Sequence, residues 1–564
     1  MKNILKKSLI LLGLFLGLHT VSAQGDNPVI SAIQKEVDRN KTQLKMEGID
    51  PPFFISYSVL DRYDYSLSAS LGSISSYNEL HTRRGLPFLL VGNYHRNNLK
   101  TPGGFISPSQ TSLIDNTTGI PITIWRDLDG LYKTTVELYK TKMAVLQQQT
   151  QTDEEKNLPD FEQVKPINMV LNPVPLNFNK AYWENYLRKA SEVAKQYPDI
   201  LSSTISLNVR SIMTYTYNTE GSRYAVPYTF YQMVFSASTR AKDGQDLNYA
   251  IYEEQATFEQ MPDLATFTNQ CKEAMESLIK LKNAPVVDDA YSGPVLFEGR
   301  ALYNLFVQAF ISNNKLAALP KQVQLPSGGG MRVMIIDGVP QIVSGSQGGN
   351  DFELMLNKKV VSRDLSIKSI TGQESYKGQR LNGYYPFDAE GVVPDKELML
   401  IENGVLRNLL NGRTPTSKIK NSNGHARYDY NASANRVAPG NIHITCKQTY
   451  SDDQLRKKLI EAAKEEDLDY AYVVKVMSGG FNLFYKLYVA DGREELVRGA
   501  TITDGASLRP FKRILGASDK EQVSNYSHIL TTIICPTALL FEEMDVTRMP
   551  NIEFKKPYIV AKPD

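Results

Sequence analysis

The chain has 564 residues, with 63 Lys and Arg against 61 Asp and Glu, six His and three Cys. That length is enough for two to four domains with cores of their own, and the near-neutral balance gives no electrostatic basis for binding nucleic acid. Cys271, Cys446 and Cys535 are too few and too scattered for a disulfide framework, although one bridge is compatible with an oxidising compartment.

The first 23 residues, MKNILKKSLILLGLFLGLHTVSA, place Lys2, Lys6 and Lys7 before an apolar core from Leu9 to Leu18 and end on Val21-Ser22-Ala23. This is the pattern of a secretory signal peptide (1–23), with cleavage expected after Ala23. Its apolar run is shorter than the roughly 20 residues that span a bilayer. No cysteine near the cut marks a lipoprotein. The expectation is an exported protein of the periplasm or cell envelope, with no transmembrane segment in the mature chain. Removing the three leader lysines leaves 60 basic and 61 acidic residues.

Asp26 or Asn27 followed by Pro28 reads as a helix N-cap and first-turn proline, and Val29, Ile30, Ile33 and Val37 follow at helical spacing to an end near Gly48. Residues 53–91 are rich in Tyr, Ser, Leu and Ile between polar turns, which predicts antiparallel strands. A long helix is expected over 125–149, followed by the polar stretch QTQTDEEKNLPDFEQVKP, read as a linker or mobile loop. Further helices are expected at 179–196 and 263–282, around strands at 202–238 that turn at Asn218-Thr219-Glu220-Gly221. KNAPVVDDAYSG has the composition of a domain boundary. Beyond it the chain is mostly short strands and glycine-rich loops, with helices at 300–313 and, after Ser451, at 452–466. Helices and strands come in blocks, so the fold class is α+β. The expected domains are an N-terminal α+β region (24–119), a middle domain with long helix, linker and antiparallel strands (120–290), and a β-rich C-terminal domain (291–564).

Chemistry-bearing motifs are sparse. No two of His81, His95, His425, His443 and His528 have the spacing of a metal-binding helix. His443 and Cys446, three apart on a strand, point to opposite faces. SGSQGG (344–349) misses the spacing of a serine nucleophile elbow, and neither it nor SGGG (327–330) has a phosphate-loop lysine. Asp288-Asp289 and Glu542-Glu543 are adjacent acids, which is not catalytic pairing. The 31 tyrosines suit half-exposed sheets and could line a peptide groove, though strand propensity explains them equally well.

Several phrases carry a resemblance. FDAEGVVPDKELMLIENGVLRNLLNGR (387–413), NRVAPGNIHI (435–444) and DGREELVRGATI (491–502) closely resemble segments of the TldD/PmbA family, also called modulator-of-gyrase proteins. YKTTVELYKTKMA (132–144) is similar to that family's first-domain helix, and NTEG (218–221) to its "NSEG" turn. The resemblance implies a metallopeptidase-related, two-subunit assembly that takes unstructured peptides into a chamber between partners. Its catalytic TldD-type subunit carries HExxxH on a helix after a "PVxL" strand and a zinc-ligating cysteine. The PmbA-type subunit lacks these ligands.

Counting from Pro294-Val295 puts the HExxxH positions at Val307, Gln308 and Ser312. Valine and serine cannot replace imidazole at zinc, and glutamine is not a base. Cys535 sits too late in the chain to match the ligand cysteine. Ala301, Leu302, Leu305, Phe306, Ala309 and Phe310 form one apolar stripe. Histidines five apart lie about 140° around an ideal helix, so a zinc-bearing version needs a distortion such as a π-bulge; this chain is free to be a plain core helix. The resemblance therefore points to a PmbA-type member with no catalytic residue, no metal and no cofactor of its own. Such a member pairs as a homo- or hetero-oligomer with a TldD-like subunit around an extended peptide, and Asn435, Gly345 and Gly348 are the candidate chamber residues. The competing reading is a stand-alone, non-enzymatic peptide-binding or scaffold protein. A role on gyrase is disfavoured by the signal peptide.

Overall fold

A computed structural model describes residues 27–101, 109–115, 118–174, 176, 178–287, 290–312, 314–323, 332–336, 339–343, 351–429, 434–478, 481–503, 505, 507–526 and 530–549. The signal peptide, Asp288-Asp289, Gly345, Gly348 and His528 lie outside these residues. As the block pattern predicts, the fold is α+β with a β-rich C-terminal region.

Helix α1 (Pro28–Gln43) opens where Asn27 accepts hydrogen bonds from the backbone N–H groups of Val29 and Ile30. There follow β1 (Phe54–Ser70), β2 (Ser73–Leu90), β3 (Ser109–Gln110), α2 (Gly119–Gln148), α3 (Asp153–Asn157), β4 (Asn168–Val170) and α4 (Lys180–Glu192). The middle region continues with β5 (Ser202–Asn218), β6 (Arg223–Arg240), β7 (Asp246–Gln255) and α5 (Leu264–Asn283). One seven-stranded sheet, ordered β3-β2-β1-β5-β6-β4 with β7 on β6, gathers strands from both 24–119 and 120–290. These two stretches thus share a single body. The predicted turn joins β5 to β6, with Gly221 at φ +99° and Asn218 Oδ1 accepting from the N–H groups of Glu220 and Ser222.

Period-two alternation decides which face is covered. The odd positions of β1 (Ile55, Tyr57, Val59) pack with α1 and α2, and Leu67 packs with α4 and α5 through Ile205, Leu207, Val209, Met233 and Phe235. The β1–β5 register keeps these odd positions on one side, so all four helices lie on the same face. The other face is left without a helix.

The stretch expected to be a mobile linker is docked instead. Thr152 and Glu155 form a capping box at α3, and Asp160 and Phe161 are buried. Lys142, on the inner side of α2, donates to Asp160 Oδ2 at 2.6 Å and to the carbonyls of Asn97 and Leu99 at 2.8 and 2.6 Å. A polar composition hid this because the anchors are ion pairs and hydrogen bonds to residues distant in sequence, with Phe161 the one large apolar side chain that is buried.

In the C-terminal body, β8 (Tyr291–Glu298) is central in an eight-stranded sheet, antiparallel to Ala538–Arg548 and parallel to Tyr470–Ser478. Val295 and Phe297 face the helix α6 (Gly299–Phe306), while Leu296 faces α7 (Asp452–Glu465). Ser451 caps α7 reciprocally with Gln454. A six-stranded sheet containing Leu365–Ser369, Asn441–Cys446 and Thr531–Pro536 completes the core around α6. The three cysteines are free, Cys271 and Cys535 buried. No described helix is long and apolar enough to cross a membrane.

Gly440, in the PG of NRVAPGNIHI, allows two backbones to touch. A Cβ there would lie 2.4 Å from the Gly383 carbonyl oxygen and 2.7 Å from the Thr371 side chain. Gly440→Ala is expected to cost about 3 kcal/mol, read as a lowered urea midpoint at unchanged slope.

Candidate functional site

The helix after β8 is not plain. α6 runs on into a π-helical turn, Val307–Ser312. The expectation of a regular core helix is corrected here: the distortion is present although the histidines are not. Packing holds it. Ala301, Leu302, Leu305, Phe306, Ala309 and Phe310 are all buried, and Phe306 and Phe310 both meet Phe511, at 5.5 and 5.3 Å between ring centroids. Gln522 Nε2 donates to the Gly299 carbonyl at 2.9 Å, and Tyr303 donates to the Asn525 carbonyl at 2.9 Å.

The i→i+5 hydrogen bonding of a π turn changes the angular spacing of residues five apart relative to a regular α-helix. Val307 is buried, Gln308 half-buried beside Gly505, and Ser312 exposed. A branched alkyl group, a primary amide and a hydroxyl offer neither imidazole nor thiolate, so these residues do not fit a zinc ion. Among the described residues no group of three or more His, Cys, Asp or Glu is arranged to hold a metal.

Among the described residues, several histidines and thiols are engaged elsewhere. His81 Nε2 lies 2.6 Å from Asp61, with its ring stacked on Tyr63. His443 lies 2.8 Å from Glu521, whose carboxyl, though partly desolvated, is held down at about 2 by hydrogen bonds from Lys377, Tyr376 and His443. Cys446 turns instead to the Gln448 carbonyl. Burial pushes the Cys446 and Cys535 thiols up to about 11 and about 12, which leaves them without nucleophilic character near neutral pH.

The helix-free sheet face is the broad surface of the N-terminal body. Its even positions carry Arg62, Asp64, Ser66 and Ser68 on β1, and Asn208 and Arg210 on β5, all half-buried. Arg62 Nη2 and Arg210 Nε donate to Asp64 Oδ1 at 2.9 and 2.8 Å. Asn208 donates to Gln232 at 3.4 Å, and Gln232 to Glu254 at 2.8 Å, so one polar ladder crosses β5, β6 and β7. A hairpin of the C-terminal body, Ala426–Asp429 with Ala434–Val437, stands on this face: the Tyr428 hydroxyl is 2.8 Å from Ser58 Oγ and 3.2 Å from Thr216 Oγ1. Asn435 pairs with Tyr428 across the hairpin and is exposed beside the face. Sequence reasoning reached Asn435 but missed the ladder. Its signal was available in the serines, arginines and Asn208 alternating with Ile205, Leu207 and Val209.

A buried polar seam joins the two bodies. Arg413 is fully buried, its guanidinium donating to the Glu162 carbonyl at 2.8 and 2.6 Å and to Glu220 Oε1 at 2.6 Å, and lying 4.0 Å over Phe161. Its backbone N–H donates to Glu390 Oε2 at 2.7 Å. Asp388 accepts from the N–H groups of Glu390, Val392 and Ala426, each at 2.9 Å. Burial and the Glu390 charge raise Asp388 to about 7 even so, and burial raises Glu390 as well.

The fold and site define a two-body α+β protein in which a polar, helix-free sheet face lies beside a hairpin and a π-turned helix without metal-binding groups. Residues 344–548 match the model of the PmbA/TldA metallopeptidase C-terminal domain. That match identifies residues 344–548 as a TldD/PmbA-type, metallopeptidase-related C-terminal domain and supports a relation of the chain to that family. Among solved structures, it is similar to a candidate modulator of a DNA gyrase from Thermotoga maritima, with TM-score 0.57 and 17% identity, over 91% of this chain and 100% of that one. It is also similar to TldE from Thermococcus kodakarensis, with TM-score 0.53 and 11% identity, over 92% and 100% of the two chains. A candidate modulator of DNA gyrase from Bacteroides thetaiotaomicron gives TM-score 0.54 and 11% identity, over 92% and 98%. At these identities the likeness concerns the fold. No curated protein sequence matches the chain.

Proposed function

We propose that this chain is an exported, zinc-free subunit that pairs with a zinc-bearing family member and holds extended peptide for that partner to cleave. The observation that carries this reading is the π-turned helix: it keeps the distortion that histidines five apart require, while Val307, Gln308 and Ser312 supply no donor for the metal. The helix-free face supports the binding half of the reading, since a broad sheet surface lined by Ser, Asn, Gln and Arg can bond the backbone of an unfolded segment without demanding one sequence. Asn435 is assigned to the edge of that chamber, and Gly345 and Gly348, outside the described residues, stay candidates for peptide contact from the sequence alone.

The test is co-purification with a family member carrying HExxxH, encoded beside it or supplied in trans, followed by cleavage of an unstructured peptide. The pair is expected to cleave and this chain alone to remain inactive with or without added zinc. Arg210→Ala with Gln232→Ala in this chain is expected to raise the KM of the pair about tenfold with little change in kcat. Cleavage with none of the zinc-bearing members would sink the proposal in favour of a stand-alone peptide-binding protein. Export is checked separately, by finding a mature N-terminus at Gln24 outside the cytoplasm.

A further inference from the structure

The seam between the two bodies is short of positive charge. Glu162 and Glu220 come from the N-terminal body, Asp388 and Glu390 from the DAEG turn, and the guanidinium of Arg413 is directed at Glu220 and at the Glu162 carbonyl. Glu390 receives only the Arg413 backbone N–H, and the second carboxylate oxygen of Glu220 is buried with no hydrogen-bond partner. The other titratable groups facing the DAEG turn do not neutralise it. Tyr224 donates to the Ala389 carbonyl at 2.9 Å, and Tyr428 is engaged with Ser58 and Thr216. Arg427 is directed to the carbonyls of Pro439 and Leu530, over the Tyr385 ring. His425 is buried and neutral. Two carboxylates in one desolvated site cannot both ionise freely.

We propose that Asp388 and Glu390 retain a proton between them and act as a proton-dependent clamp on the seam, closed while the proton is held and loosened when the pair gives it up to solvent. The raised position of both carboxyls supports this. The sign follows: a carboxyl raised above its unfolded value stabilises the folded contact fully below that value, and loses the contribution as pH rises through the folded one. The clamp therefore is tightest in acid, slackens as pH rises toward about 7 and changes no further beyond it. What loosens is the set of contacts that cross the bodies, namely Tyr224 to Ala389 and Arg413 to Glu162 and Glu220. This inference does not depend on the peptide-holding role.

Hydrogen–deuterium exchange of the full chain between pH 5.5 and 8.5, corrected for the intrinsic pH dependence of exchange, tests the clamp. Segments 159–167, 218–224, 386–392 and 411–428 are expected to lose protection by up to roughly tenfold per unit as pH rises from 5.5 to about 7 and to level off above it, while α5 and α7 stay unchanged. Glu390→Gln, which keeps an acceptor for the Arg413 N–H but carries no charge, is expected to weaken that trend, and the double variant Asp388→Asn, Glu390→Gln to abolish it. Protection in the wild-type segments that is flat across the range overturns the clamp by itself, even where the variant fails to fold. So does a trend that survives the double variant.

Discussion

Arg413→Met is expected to destabilise the protein by about 3–5 kcal/mol, the range for removing one partner of a buried ion pair. Methionine keeps the aliphatic stem but not the guanidinium that lies over Phe161, so the loss combines the charge with that stacking contact. The change strips Glu220 of its cation, leaves the Glu162 carbonyl without its donors and removes the positive charge nearest Glu390. Because both side chains are almost fully buried, water cannot take over these bonds. Urea unfolding should show a lower midpoint, and the double variant Arg413→Met, Glu220→Gln should recover part of the loss, since it no longer buries an unpaired carboxylate. A double variant as unstable as the sum of the singles would show that the pair is not the unit. Arg413→Lys should fall between, because a lysine ammonium cannot make the fork to both the Glu162 carbonyl and Glu220.

Much of the fold was legible because it is set by local chemistry. Asn27, Asn179, Asp263 and Ser451 cap the helices that follow them, and period-two alternation over 53–91 and 202–238 marks strands that the structure pairs in register. What was not legible depends on contacts distant in sequence. Lys142 looks like one more solvated lysine on α2 until Asp160 closes over it, and the polar composition of 150–167 says nothing of Arg413, some 250 residues away. The helix-free face is similar: alternation shows that each strand has two sides, but only the placement of all four helices on one side makes the other a surface.

The zinc-helix positions split along the same line. That Val307, Gln308 and Ser312 cannot hold zinc follows from side-chain chemistry alone. That the helix stays π-wound does not, because the winding is fixed by Phe306, Phe310 and Phe511 meeting across the core and by Tyr303 anchoring the preceding turn. Side-chain chemistry and backbone winding are therefore encoded separately at this helix.

His425→Gln is expected to change how stability varies with pH more than any other single substitution. The Nδ1 of His425 faces the Asn423 carbonyl at 2.8 Å, which can only accept, so that nitrogen carries the hydrogen and Nε2 accepts from Ser369 at 2.9 Å. The neutral ring is satisfied, and burial, with Arg427 nearby, holds it down at about 3. An unfolded histidine takes its proton near pH 6.5. Stability from His425 is thus present above about 6.5 and lost as pH falls toward 3, by up to about 1.4 kcal/mol per unit. Asp388, raised to about 7, has the opposite slope between its unfolded value near 3.9 and neutrality. The two offset each other between about pH 4 and 6.5, so the wild type should show a stability plateau there by urea unfolding. Removing the histidine should expose the Asp388 slope, with stability falling as pH rises. Asp388→Asn should expose the other, with stability rising. If both variants keep the plateau, neither group titrates as its surroundings require.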